Sequence, residues 1–172
     1  MTDVHVHPQL DLERLHPASF GWALACCGHD REEAEEVLQE VYLSVLDNRA
    51  RFDGRSTART WLFAVIRRTA ASRRRRGWRR RLALARWLDR QVAPPPTRSP
   101  ESTLGAAEAA SVLRDALARL AERQRQVLHL VFYQDLTVEE AALVMGISLG
   151  SACTHYHRGK QALRLYLSEE VP

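Results

Sequence analysis

Four prolines fall within the fifteen residues QVAPPPTRSPESTLG (91–105), and no other stretch limits the fold as strongly. Proline lacks an amide hydrogen and clashes with the carbonyl four residues back, so this segment cannot be a helix interior. It also lacks apolar periodicity. On either side of it apolar residues return at helical spacing, and long runs with period-two alternation are absent. The pattern predicts an all-α chain of two small helical units. Residues 10–90 form the first and 106–168 the second, with 91–105 as a flexible, Pro-rich linker. Hydrophobic residues make up 45% of the 172, enough for a buried core.

Several classes drop out on composition. No run approaches the roughly 18 apolar residues that span a bilayer, so membrane insertion is not expected. The N-terminus MTDVHVHPQLDLE has no apolar core of the kind a signal peptide needs. Cysteine occurs three times, with Cys26 and Cys27 adjacent. That is no disulfide framework and points to a reducing cytoplasm.

Within the first unit, a helix is expected between Leu10 and Cys27, interrupted near Pro17. Asp30 opens the next as N-cap, with Glu33 placed to complete a capping box. Its apolar stripe is Ala34, Val37, Leu38, Val41, Tyr42 and Val45. Glu36, Gln39, Glu40, Leu43 and Asp47 fall on the opposite side. Leu43 there is an apolar residue among acids; a single exposed Leu is ordinary on any surface, and in an acidic face it also has the make-up of a docking site's centre. A third helix starts near Ser56 or Thr57 and runs through Trp61 into the arginines, with Arg67, Arg68, Arg74 and Arg75 on one sector. Residues 79–90 suggest a further short basic helix.

Charge is sharply segregated. Residues 30–47 hold seven acids and one base, whereas 49–90 hold fifteen arginines and two acids. Lys160 is the only lysine in the chain. A run such as RRTAASRRRRGWRRR (67–81), with Trp78 inside it, suits a polyanion, nucleic acid above all; a solvated helix face or a disordered basic tail are the alternatives.

The second unit carries LTVEEAALVMGISLGSACTHYHRGKQALRLYL (136–167). Thr137 with Glu140 reads as a capping box, Gly146 as the left-handed residue of a tight turn, and Ser148 as the cap of a second helix. Ala142, Gly146, Ala152 and Tyr156 have helix-turn-helix spacing. From Ser148 to Ser168 there is no acid, as a helix lying among phosphates requires.

Taken together, these stretches resemble the extracytoplasmic-function (ECF) sigma factors of bacterial RNA polymerase. AEEVLQEVYL (34–43) is similar to that family's Ala-Glu-Asp-Leu-Val-Gln-Glu-x-Phe-Leu motif. FDGRSTARTWLFAVIRRTAASRRRR (52–76) resembles its Phe-x-Gly-x-Ser…Thr-Trp-Leu segment. RQRQVLHL (123–130) and the helix-turn-helix match its C-terminal domain. The resemblance implies sigma domains 2 and 4, promoter recognition in transcription initiation, and no enzymatic activity or cofactor. It implies core polymerase, through its largest and beta subunits, as partner, together with promoter DNA and an anti-sigma factor. Glu36, Gln39, Glu40 and Leu43 would dock on the polymerase. Phe52, Trp61, Arg67, Arg68 and Arg75 would engage the −10 element. Ser151, Cys153, Thr154, His155, His157 and Arg158 would read the −35 element, and the linker would thread the polymerase channel.

The chain departs from the family pattern in places. Arg68 stands where Asn is common, and Ser72 where Asp is frequent. Ser151-Ala152-Cys153-Thr154-His155 replaces a usual Thr-Val-Lys/Arg-Ser-Arg, which implies an unusual −35 sequence or weaker dependence on it. Gly159 replaces a usual Ala. A stand-alone helix-turn-helix regulator is the alternative reading, but its N-terminal half would need a ligand or dimerisation domain. A nucleic-acid-processing enzyme would need a nucleophile or clustered carboxylates near the basic run, where Asp53 and Asp89 are the only acids. No Walker loop, GxGxxG, HExxH or GxSxG occurs. Cys26, Cys27 and His29 read as packing and helix-end residues rather than metal ligands, and Cys153 with His157 is only half a metal site.

Overall fold

The computed structural model describes residues 11–88 and 106–170, and the segment expected to be the linker lies outside them. The described residues form seven helices: α1 (Leu12–Cys26), α2 (Arg31–Leu46), α3 (Ala58–Leu88), α4 (Ala106–Arg119), α5 (Glu122–Phe132), α6 (Val138–Met145) and α7 (Leu149–Glu170).

Helix starts follow local polar chemistry. Asp11 accepts from the Arg14 amide at 3.0 Å, and Asp30 from the Glu33 amide at 3.1 Å. Thr57 Oγ1 accepts from the Thr60 amide at 3.1 Å. Thr137 and Glu140 form the reciprocal capping box. Gly146 takes the left-handed conformation (φ 62°), and the Ser151 amide donates to Ser148 Oγ at 3.2 Å, so the turn of the helix-turn-helix is built as expected.

Three local expectations are corrected. Helix α1 runs unbroken through Pro17. Glu13 and Pro17 both face solvent, so the carbonyl left without a partner can be hydrated. The Asp30 cap is only half a box, because Glu33 turns its carboxylate to Arg73. No separate helix begins at 79; α3 continues to Leu88.

Among the described residues one large apolar core runs through both halves, with Ala116, Leu120, Leu128, Ala142 and Ala152 buried outside it. Trp22, Ala23 and Cys26 of α1 meet Val37, Leu38 and Val41 of α2 and Leu62, Phe63, Val65 and Ile66 of α3. The same cluster continues into Val127 and Leu130 of α5 and Val144 and Met145 of α6. Helix α3 lies on α6, and α1 touches α5. Two units in the sequence thus share one buried surface.

Polar groups line the seam. Arg59 donates to Gln134 Oε1 at 3.1 Å, and the Gln134 amide nitrogen meets His129 Nε2 at 3.3 Å. That arrangement requires the neutral imidazole, with Nε2 as acceptor. Its ring stacks on Tyr133 at 5.2 Å and tilts against Trp22 at 5.5 Å. Burial, with a smaller contribution from His29, pushes the His129 pKa down to about 4. The folded value lies below the usual one of ~6.5, so the stabilisation is complete above that pH and drains away as pH falls toward 4. The expected loss between pH 7 and 4.5 is roughly 2–3 kcal/mol. Urea unfolding at both pH values, on the native chain and on His129→Asn, checks it. An equal acid loss in both proteins would remove His129 as the cause.

Gly159 is explained by packing. A Cβ there would lie 3.1 Å from Leu128 Cδ1 and 3.2 Å from Gln124 Cβ of α5. The helix-propensity cost of ~1 kcal/mol is offset by close approach of α7 to α5.

Candidate functional site

Helix α3 carries eleven of the 25 basic residues, and its neighbours sort them by face. Helix α2 takes one group: Arg73 bonds Glu33, Glu36 and Glu40, and Arg76 bonds Glu40. The second half of the chain takes another. Arg67 donates from Nε to Gln126 Oε1 at 2.9 Å and from Nη1 to the Met145 carbonyl at 2.9 Å, and Arg74 pairs with Glu122 at 2.9 Å. Among the described residues Arg68, Arg75 and Arg79 make no ion pair. With Trp61 they recur at i, i+7, i+14 and i+18, inside a sector of about 40° at 100° per residue.

The residues expected to face the −10 element therefore divide. Trp61, Arg68 and Arg75 share the open sector, and Phe52 meets the Trp61 ring edge-on at 5.6 Å. Both rings are half-buried, which fixes them while leaving one side open. Arg67 is turned about 100° away and occupied by α5 and α6. The sequence expectation placed Arg67 and Arg74 in the same stripe as Arg68 and Arg75. The structure places those two against the second half instead.

On α2 the four expected docking residues come together. Glu36, Gln39, Glu40 and Leu43 line one hollow of about 390 Å³, with Arg49 and Arg73. Leu43 is 48% exposed at its edge. A second, mostly apolar groove of about 610 Å³ adjoins it between α1 and α2, lined by Phe20, Leu38, Tyr42, Leu43 and Leu46 among others. Arg49 and Arg73 were missed from sequence; only the third dimension shows which arginines turn toward α2.

In α7, Ser151, Thr154, His155 and Arg158 fall within an arc of about 100°. Ser151, Thr154 and Arg158 are exposed, and His155 is half-buried. Thr154 Oγ1 already donates to the Gly150 carbonyl at 2.9 Å. His157 stands on the flank of that face, edge-on to Tyr156 at 5.6 Å, whereas Cys153 is turned about 150° from its centre. Ala152 and Gly159 form the buried side. That face thus presents hydroxyl, imidazole and guanidinium groups, and no carboxylate occurs from Ser148 to Ser168.

Burial raises the Cys26 thiol pKa well above its usual range and pushes Cys27 up to about 11. Neither is a thiolate at neutral pH. Among the described residues no three His, Cys, Asp or Glu side chains converge as metal ligands, and no helix is long and apolar enough to cross a membrane.

Comparison with known proteins gives a consistent picture. Residues 12–80 match the family described as Sigma-70 region 2, and 116–165 the family described as Sigma-70, region 4. The ECF RNA polymerase sigma factor SigX of Bacillus subtilis (strain 168) is 30% identical over 140 residues, covering 80% of this chain and 72% of SigX. The ECF RNA polymerase sigma factor SigL of Mycobacterium tuberculosis (strain ATCC 25618 / H37Rv) is 30% identical over 154 residues, covering 86% of this chain and 81% of SigL. Among solved structures, the sigma factor RpoE in complex with the anti-sigma factor NepR, from Bartonella quintana, superposes with a TM-score of 0.67 at 22% identity, covering 92% of this chain and 94% of that one. CnrH in complex with the cytosolic domain of CnrY gives 0.60 at 21% identity, covering 93% and 86%. At these identities the two structures show the shared fold.

Proposed function

The chain belongs to the ECF family of RNA polymerase sigma factors, non-enzymatic proteins that direct promoter recognition, and from this premise we propose how its surfaces divide that work. The α2 hollow, with Glu36, Gln39, Glu40 and Leu43, docks on core polymerase. The Phe52–Trp61 pair and the Arg68–Arg75 stripe hold the separated strand of the −10 element, since aromatic platforms beside a basic track suit single strands. Arg67 joins that contact only after the α3–α6 seam opens. The α7 face around Ser151, Thr154, His155 and Arg158, flanked by His157, reads the −35 element in duplex DNA, with Cys153 turned away from it. Residues 10–90 and 106–168 act as sigma domains 2 and 4. The site of action is the cytoplasm.

The observation that carries this reading is the sorting of α3. Arg59, Arg67, Arg73, Arg74 and Arg76 are bonded to α2 or to the second half, yet among the described residues Arg68 and Arg75 make no ion pair beside Trp61. An anti-sigma factor is a further proposed partner. A relative of this fold was crystallised with one, the RpoE–NepR complex.

Run-off transcription with purified core polymerase and a library of promoter fragments tests the proposal. Transcripts from a defined subset of promoters are expected only when chain and core are both present. Tight operator binding by the chain alone, with no transcript in the presence of core, would instead mark a stand-alone regulator.

A further inference from the structure

We infer that Arg73 is a positioning residue for the polymerase-docking face: one guanidinium gathers Glu33, Glu36 and Glu40 of α2 and sets how Glu36 and Glu40 meet a partner's cations. The inference rests on the docking role proposed above for the α2 hollow.

The geometry is specific. Arg73 leaves α3 on the side of α2, well away from the Arg68–Arg75–Arg79 stripe. Its Nε donates to Glu33 Oε1 at 2.9 Å, its Nη1 to Glu40 Oε2 at 3.3 Å, and its Nη2 to Glu36 Oε2. Arg76 Nη2 braces Glu40 from the other end of the array, at 3.2 and 3.3 Å. The Arg73 side chain is 25% exposed, against 51% for Glu36 and 39% for Glu33 and Glu40. The cation thus lies at the floor and the carboxylates at the rim.

Physical chemistry supplies the reason. Three glutamates at i, i+3 and i+7 of one helix face repel one another, and each side chain is flexible. A planar guanidinium with a fixed fork can hold three carboxylates in one arrangement, whereas a lysine ammonium is a point charge. Glu36 Oε1 and Glu33 Oε2 make no hydrogen bond among the described residues, so the array keeps open acceptors. Fixing them before docking removes an ordering cost at the interface. With Arg49 and Arg73 in the same hollow, the partner is recognised by where charge sits rather than by net charge.

The test uses the full-length chain with Arg73→Gln and Arg73→Lys. Core-polymerase affinity is measured at several salt concentrations, alongside thermal melting and holoenzyme binding to a single-stranded −10 oligonucleotide. Arg73→Gln is expected to bind core about tenfold more weakly, with a steeper salt dependence. Arg73→Lys is expected to restore melting but not affinity. Adding Glu36→Gln to Arg73→Gln is expected to cost much less than Glu36→Gln alone, because the two act through one array. Unchanged affinity and salt slope in Arg73→Gln would overturn the inference. So would full rescue by lysine, which would reduce Arg73 to a counter-charge, or a loss confined to the oligonucleotide step, which would make it a DNA contact. Should Arg73→Gln fail to fold, Arg73→Lys decides the matter by the same criteria. Polymerase binding that survives arginine at Gln39 and Leu43 would sink the docking role itself, a separate result.

Discussion

Replacing Gln39 and Leu43 together by arginine is expected to abolish co-purification with core polymerase, a loss of about 100-fold or more in affinity. Both residues line the α2 hollow, and both are exposed. The change adds two cations beside Arg49 and Arg73 and removes the apolar edge that Leu43 supplies. Docking would then set added cations against the partner's own and occupy Glu36 and Glu40, which would otherwise receive the partner's. The fold should not suffer. Helix α2 is anchored by Ala34, Val37, Leu38 and Val41 on its other face, and its start by Asp30. Far-UV circular dichroism and thermal melting should match the native chain. Polymerase binding that persists in the doubly substituted chain would remove this face from the interface.

Trp22→Ala is expected to destabilise the chain by about 3–5 kcal/mol. Trp22 is fully buried. Its Nε1–H donates to the Phe63 carbonyl at 3.0 Å, and its ring contacts Phe63 of α3 at 6.1 Å and His129 of α5 at 5.5 Å. One side chain thus ties α1 to both halves. Truncation leaves a void that three helices cannot close together, and an acceptor loses its donor. Trp22→Phe should cost less, because most of the volume stays. Urea unfolding followed by circular dichroism reads both variants. A cost under about 1 kcal/mol for the alanine would mean the seam closes over the gap.

Much of the fold was legible because it is written in local interactions. Asp30, Thr57, Thr137, Gly146 and Ser148 each act within four residues of themselves, so a helix start or stop can be read without its neighbours. The buried stripe of α2 was legible for the same reason, since periodicity alone says which residues share a face. The family pattern likewise lies along the chain, in AEEVLQEVYL and in the turn of the helix-turn-helix.

What escaped the sequence was the destination of each face. Periodicity separates Arg67 from Arg68 by about 100°, but it does not say what occupies either sector. Only packing shows that α6 covers one and solvent the other, that Glu33 prefers Arg73 to its own cap, and that α1 runs through Pro17. That Glu36, Gln39, Glu40 and Leu43 share one face of α2 was legible from periodicity; Arg73 behind them was not, because it lies 33 and 37 positions beyond the Glu40 and Glu36 that it bonds. Helices, their caps and the family were thus set by neighbours in sequence, through bonds that close over one turn. The core shared by both halves, the sorting of α3's arginines and the neutral His129 were decided by neighbours in space. Desolvation and ion pairing depend on which surfaces finally meet, and no local rule carries that information.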